Sequence, residues 1–170
     1  MSGQTVTDSG LEKLRSMIKE IDLCMLTTVD AEGRLHSRPM SNNREVEFDG
    51  DLWFFTYDQT GKTEEIQREQ QVNVSFSDPK GTSYVSLSGT AEIIRDREKM
   101  AELWQPHLKA WFPHGLDEPN IALIQVTAHQ AEYWDGPSRP VAMAISLAAR
   151  VRGKTPEMGE NKKLDLDAAA

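Results

Sequence analysis

Residues 85–93 read Val-Ser-Leu-Ser-Gly-Thr-Ala-Glu-Ile, and their alternation constrains the fold more than any other stretch. Val85, Leu87, Gly89, Ala91 and Ile93 share one face, while Ser86, Ser88, Thr90 and Glu92 share the other. A period of two puts successive side chains on opposite sides of an extended backbone, so the spacing predicts a half-buried strand. Further strand-like runs cover residues 23–29, 34–40, 52–57 and 72–76. A last one alternates through Ile124, Val126 and Ala128 and ends at Tyr133-Trp134. Asp30-Ala31-Glu32-Gly33, Asp49-Gly50 (a hairpin signal) and Asp78-Pro79-Lys80-Gly81 supply turn chemistry between runs. Connections this short imply antiparallel pairing. Pro39 lacks a backbone donor and belongs on an edge or at a bulge. An open sheet of six or seven strands has exposed edges, so closure into a small barrel is expected: a mainly β (α+β) fold.

Helices punctuate this pattern. Leu11, Leu14, Met17, Ile18 and Ile21 recur at helical spacing behind a Ser9–Glu12 capping box, which predicts a helix over 10–20. A short helix should follow from Thr63 to about Glu69. Asp96 caps another that carries Met100, Leu103 and Trp104. A further segment opens at Pro106, carries Leu108, Trp111 and Phe112, and stops at Pro113. Residues 142–151 read as one more short helix. The stretch beyond 152, RGKTPEMGENKKLDLDAAA, carries no core-forming pattern and is expected to be largely disordered. Residues 1–136 thus read as one domain and 137–170 as a C-terminal extension.

The chain has 170 residues and a formal net charge of -8. An acidic surface repels nucleic acid and anionic membranes, so neither is an expected partner. No apolar run approaches the ~20 residues that span a bilayer, and MSGQTVTDSG lacks a signal-peptide core, which points to the cytoplasm. Cys24 is the single cysteine, so an internal disulfide and a thiolate-based zinc site are both excluded; its apolar neighbours predict a buried thiol. His36, His107, His114 and His129 have no second ligand at metal spacing, and no metal is expected. The pairs Glu64-Glu65 and Asp117-Glu118 read as solvated charges, and Trp104, Trp111 and Phe112 as a core or interface cluster. No nucleophile–base constellation is visible, so no catalytic residue is assigned.

The segment Trp53–Ile66 ends a strand and delivers Gly61-Lys62-Thr63 to a helix start. A nucleotide-triphosphate loop needs glycine five residues before Gly61, where Thr56 stands, and Asp58 would meet the phosphates. That reading is excluded. Two remain: a grip for one phosphate monoester built from Thr56, Thr60, Lys62 and free helix N–H groups, or a solvated Lys62 beside a threonine cap.

The order of motifs carries further information. Ser37-Arg38-Pro39-Met40 is followed by Phe54-Phe55-Thr56 with Lys62 six residues on. Ser86-Leu87-Ser88-Gly89-Thr90-Ala91-Glu92 comes next, and Glu132-Tyr133-Trp134 last. Over about residues 10–136 this succession resembles the pyridoxamine 5′-phosphate oxidase-like superfamily of FMN-binding split β-barrels, in particular its bacterial general stress protein branch. The resemblance implies a split barrel and a homodimer with flavin sites at the subunit interface. It implies FMN, or FAD through the same phosphate, as cofactor. Ser37, Arg38, Pro39, Met40 and Phe55 would bind the cofactor, Arg38 as the family's basic residue on the second strand, with the backbone after it lying along the flavin ring. Thr56 and Lys62 would hold the phosphate. Tyr84 would touch the cofactor, and Trp134 would pack near it from the other subunit. The Arg-Leu-His-Asp-Arg type of segment that serves the substrate in the oxidases proper is replaced by Asp135-Gly136-Pro137-Ser138-Arg139-Pro140-Val141. The resemblance therefore does not extend to vitamin B6 oxidation.

Three functions fit these residues. One is a flavin-dependent oxidoreductase acting on a small molecule that the sequence does not name. Another is a non-catalytic flavin-binding protein that stores or senses the cofactor in stress. The third uses the same barrel for a deazaflavin or haem, against which Lys62 and Thr56 argue because they suit a phosphate.

Overall fold

The computed structural model describes residues 8–78, 81–152, 155 and 159–167. The expected turn residues Pro79 and Lys80 lie outside them. Four helices and seven strands follow in chain order: α1 (Asp8–Lys19), β1 (Leu23–Val29), β2 (Leu35–Ser41), β3 (Asp51–Tyr57), α2 (Gly61–Arg68), β4 (Gln71–Ser77), β5 (Thr82–Ile94), α3 (Arg97–Leu103), β6 (Ile121–Gly136), α4 (Arg139–Arg152) and β7 (Glu160–Asp165). Two 3-10 segments, Pro106–Ala110 and Gly115–Asp117, link α3 to β6.

All strands join one antiparallel sheet in the order β2-β1-β4-β5-β6-β3, with β7 also on β6. The sheet curls into a half-barrel flanked by the helices, in agreement with the expected split barrel. Pro39 sits on β2, at one end of that order, where its missing donor costs nothing. The long strand β6 changes partner along its length. Residues 121–127 pair with β3, and residues 130–135 pair with β7. The register of β5 on β6 shifts between Ser88 and Gly89. A side chain at Gly89 would bring its Cβ to 2.0 Å from the Thr127 carbonyl oxygen, so this crossing requires glycine.

The predicted alternation in β5 holds, with Val85, Leu87, Gly89 and Ala91 buried. These residues join Leu14, Met17 and Ile18 of α1 and Phe54, Val74, Phe76, Val126 and Tyr133 in the main core. Phe55, Met100, Leu103, Leu108, Phe112, Ile121 and Leu123 form a second core on the other face of β3 and β6. Asp96 caps α3 as expected, accepting from the Glu98 and Lys99 amides at 2.9 and 3.2 Å. Cys24 is buried, its thiol 3.7 Å from the Met40 carbonyl oxygen, and burial pushes its pKa up to about 12.

Several expectations need correction. The chain is already helical at Asp8, which places Ser9 inside α1 and not at its cap. Asp49-Gly50 does not close a hairpin: β2 pairs with β1, and β3 pairs with β6. The last core strand runs on to Gly136. The segment beyond 152, expected to lack structure, contributes β7, and Leu164 and Leu166 reach the main core. Leu164 in β7 and Leu166 just after it share one buried face, and the charges around them obscure the pattern.

Candidate functional site

The end of β3 leads into α2 through a tight turn. Gln59 adopts a positive φ of 57°, and Thr60 donates its N–H to Thr63 Oγ1 at 2.9 Å while the Thr63 hydroxyl returns a bond to the Thr60 carbonyl at 2.8 Å. The reciprocal pair fixes the helix start and buries Thr63. Asp58, the acid that seemed to face any phosphate, is clamped by Arg95 at 2.6 and 3.1 Å, and those bonds hold its carboxyl below the usual range. The turn therefore presents Lys62 without a competing carboxylate.

Lys62 lines a cavity of about 230 Å³ with Pro39, Met40, Phe55, Thr56 and Phe112. Its ammonium has no acidic partner among the described residues. Burial, and then the positive charge of Arg38, push its pKa down. A half-buried cation with no counter-ion is costly to hold. Lys62 is partly buried, not fully exposed. The cavity walls are aromatic: Phe55 and Phe112 have centroids 6.2 Å apart, and Tyr57 and Phe112 lie 5.0 Å apart. A larger cavity of about 400 Å³ lies between α1 and residues 42–53, but it contains none of the expected site residues.

The structure thus brings together five expected residues: Pro39, Met40, Phe55, Thr56 and Lys62. Arg38 stands beside them without lining the cavity. Its guanidinium turns toward Glu65 and Thr28, and Ser37 on the outer face bonds Thr27 at 2.7 Å. Tyr84 and Trp134 are not brought in. They are cross-strand neighbours on β5 and β6, 46% and 39% exposed, beside a separate cavity of about 340 Å³. Thr56 pairs with Ala122 and Tyr84 with Trp134, at opposite ends of β6 and roughly 40 Å apart along the strand.

Residues that sequence reasoning missed complete the picture. Ser41, Tyr57, Leu108 and Trp111 also line the Lys62 cavity. Trp111, read as part of a core or interface cluster, is 53% exposed there, while Phe112 is buried. Glu65 and Glu118, read as solvated, are both buried. Glu118 accepts the His114 amide and lies 2.9 Å from His114 Nδ1; with Tyr57 these contacts hold its carboxyl below the usual range against burial. Helical phase could have found Glu65, since it falls one turn after Lys62 on the face that carries Ile66 inward.

Comparison with known proteins agrees with this architecture. A family profile described as pyridoxamine 5′-phosphate oxidase like matches residues 9–157. Protein bli-3 of Neurospora crassa is 33% identical over 136 residues, covering 73% of this chain; the chain spans 65% of that relative's length. A structure described as a general stress protein 26 from Jannaschia sp. CCS1 superposes with a TM-score of 0.75 at 25% identity, covering 94% of this chain and 99% of that one. A Clostridium acetobutylicum protein described as related to general stress protein 26 of B. subtilis shares the fold, with a TM-score of 0.71 at 18% identity over 97% of this chain and all of that one. With the matched profile spanning both core layers and the Lys62 cavity, this chain belongs to the pyridoxamine 5′-phosphate oxidase-like family.

Proposed function

We propose that the protein binds a phosphorylated flavin, FMN, in a homodimer and uses it as an oxidoreductase on a small molecule. The observation that carries this reading is Lys62: an unpaired, half-buried ammonium beside the hydroxyl-bearing Thr56, in a cavity with aromatic walls. That set of donors fits a planar ring carrying one phosphate. Lys62 and Thr56 would hold the phosphate, the α2 N-terminus adding its positive end. Phe55 and the Pro39–Met40 backbone would lie against the ring, and Arg38 would add to the positive field from behind. Bound flavin supplies the redox chemistry itself, so the chain need only bind it, orient it and keep water from one face.

The second subunit enters through size. Pockets for ligands of this size measure about 300–1,000 Å³. The cavity of about 230 Å³ can enclose only part of a flavin. In a dimer, Tyr84 and Trp134 of one copy would cover the ring held by the other. The apolar face of α4, with Val141, Met143, Leu147 and Val151 exposed, offers additional surface for that contact. FAD would leave its second phosphate and adenine outside this enclosure, which favours FMN.

The test is to purify the protein, record its visible spectrum and titrate it with FMN while measuring its mass by sedimentation. A yellow dimer that NAD(P)H bleaches supports the full reading. A yellow dimer that no donor reduces makes it a flavin carrier, and a colourless protein that fails to bind FMN overturns the proposal.

A further inference from the structure

Two cations converge near the phosphate end of the cavity, yet only one is free. Arg38 Nη2 donates to Glu65 Oε2 at 2.7 Å, and Nη1 donates to Thr28 Oγ1 at 2.5 Å and to the Leu26 carbonyl at 3.4 Å. The Thr28 hydroxyl donates to the same Glu65 oxygen at 2.5 Å, and the other Glu65 oxygen lies 3.1 Å from His36 Nδ1. Glu65 is 9% exposed and Thr28 is fully buried. Burial works to raise the Glu65 pKa, but hydrogen bonds from Thr28, His36 and Arg38 outweigh it and hold the carboxyl below its usual range. Lys62 and Glu65 occupy adjacent turns of α2, on one helix face. Lys62 in turn feels the charge of Arg38. The charge presented at this end is therefore Lys62 plus Arg38, reduced by Glu65.

A glutamine at position 65 could accept the Thr28 and Arg38 hydrogen bonds at its carbonyl oxygen and turn its NH2 toward His36 Nδ1, without the desolvation cost of a buried carboxylate. What only the acid supplies is negative charge. We propose that Glu65 is the specificity-determining residue of the phosphate end, an inference that rests on the flavin-phosphate reading above: it neutralises Arg38 from behind and leaves Lys62 as the single free cation. The cavity then takes one phosphate monoester at an affinity low enough for exchange. Converting the acid to its amide leaves the Arg38 charge uncompensated behind Lys62 and tightens the grip.

The experiment titrates FMN and riboflavin into four full-length proteins: wild type, Glu65→Gln, Arg38→Gln and the double variant. Glu65→Gln is expected to tighten FMN about tenfold and leave riboflavin unchanged, and Arg38→Gln to weaken FMN by a similar factor. The double variant restores the net charge and should return the FMN-to-riboflavin ratio to within about threefold of wild type. A double variant as weak as Arg38→Gln overturns the proposal, because Arg38 would then touch the phosphate itself. So does a Glu65→Gln protein with an unchanged ratio, because Glu65 would then be only structural. If Glu65→Gln fails to fold, the double variant decides, since it leaves neither charge unpaired. Inorganic phosphate provides the arm independent of flavin: it should raise the melting temperature of Glu65→Gln more than that of wild type. Should that hold while neither flavin binds, the flavin reading fails and the role of Glu65 stands. An equal response to phosphate in both proteins overturns the role of Glu65, whichever flavin binds.

Discussion

The two ends of β6 solve different problems. At the end paired with β3, polar groups are tied to one another: Arg38 to the buried Glu65 and Thr28, Asp58 to Arg95, Thr60 to Thr63. At the end paired with β7, two aromatic rings face outward, Tyr84 and Trp134, with no free cation among the residues that line the adjoining cavity. One end carries interlocked opposite charges, and the other sets two exposed rings beside Asp135 and Glu160. A single copy cannot fold the second onto the first, because both are fixed along one strand. On the proposed flavin reading, a complete enclosure would need the aromatic end of one copy against the charged end of another.

The strongest way to break this comparison is to remove what holds the aromatic end in place. Strand β7 pairs with residues 130–135 of β6, including Trp134, and inserts Leu164. Leu164→Ala should cost about 3 kcal/mol, a fall of roughly 6–12 °C in melting temperature by calorimetry. A chain ending at Arg152 should lose more. An unchanged melting temperature in both proteins would show that β7 does not support the sheet.

The next largest effect concerns the charged end. Lys62→Ala removes a charge-assisted contact to phosphate, about 2–3 kcal/mol or ~30–150-fold in FMN affinity by fluorescence titration. Riboflavin, which lacks the phosphate, should change little. Equal weakening of both ligands would assign Lys62 to folding instead.

A smaller effect sharpens the division between copies. Trp134→Ala should weaken FMN about tenfold through lost aromatic cover. Lys62→Ala and Trp134→Ala chains unfolded together and refolded should then recover wild-type affinity at about a quarter of the sites, those in mixed dimers where each copy supplies its intact end. No recovery would place both residues at one site within one copy.

The mildest effect is acid sensitivity at the charged end. The Glu65 carboxyl titrates below the ordinary glutamate value of 4.5 in the folded chain, so its ionised form favours folding. That contribution is present above this value and is lost as the pH falls through the lowered folded value. Melting temperature should therefore drop less in Glu65→Gln than in wild type between about pH 5 and about pH 3. An identical drop would mean that other carboxylates govern the acid limb.

Local chemistry was legible in the sequence, and long-range placement was not. The alternation of β5, the Asp96 cap and the proximity of Thr56 to Lys62 each depend on neighbours within a turn or a strand. Glu64 and Glu65 look identical as letters. Only the phase of α2 against β1 and β2 decides that one is exposed and the other meets Arg38. Asp49-Gly50 has hairpin chemistry, but the strand it introduces pairs with β6, more than seventy residues away in the case of Asp51 and Thr127. Strand β7 carries one leucine among charges, with Leu166 just beyond its end, and pairs on the part of β6 that β3 leaves free. Trp134 was placed by resemblance alone, and its distance from Lys62 follows from register.

Cys24 gives the chain a built-in timer. Burial raises its pKa from 9.0 to about 12, which leaves little of the reactive thiolate at neutral pH. Oxidants and alkylating reagents act on the thiolate, so they pass this residue by while the sheet is closed. Modification then waits for the core around Cys24 to open, and its rate follows those openings. Because the thiol rests against the Met40 carbonyl, on the wall of the Lys62 cavity, any ligand that braces that wall slows the count. A single slow-reacting sulfur therefore converts occupancy of the cavity into a time that mass spectrometry can read.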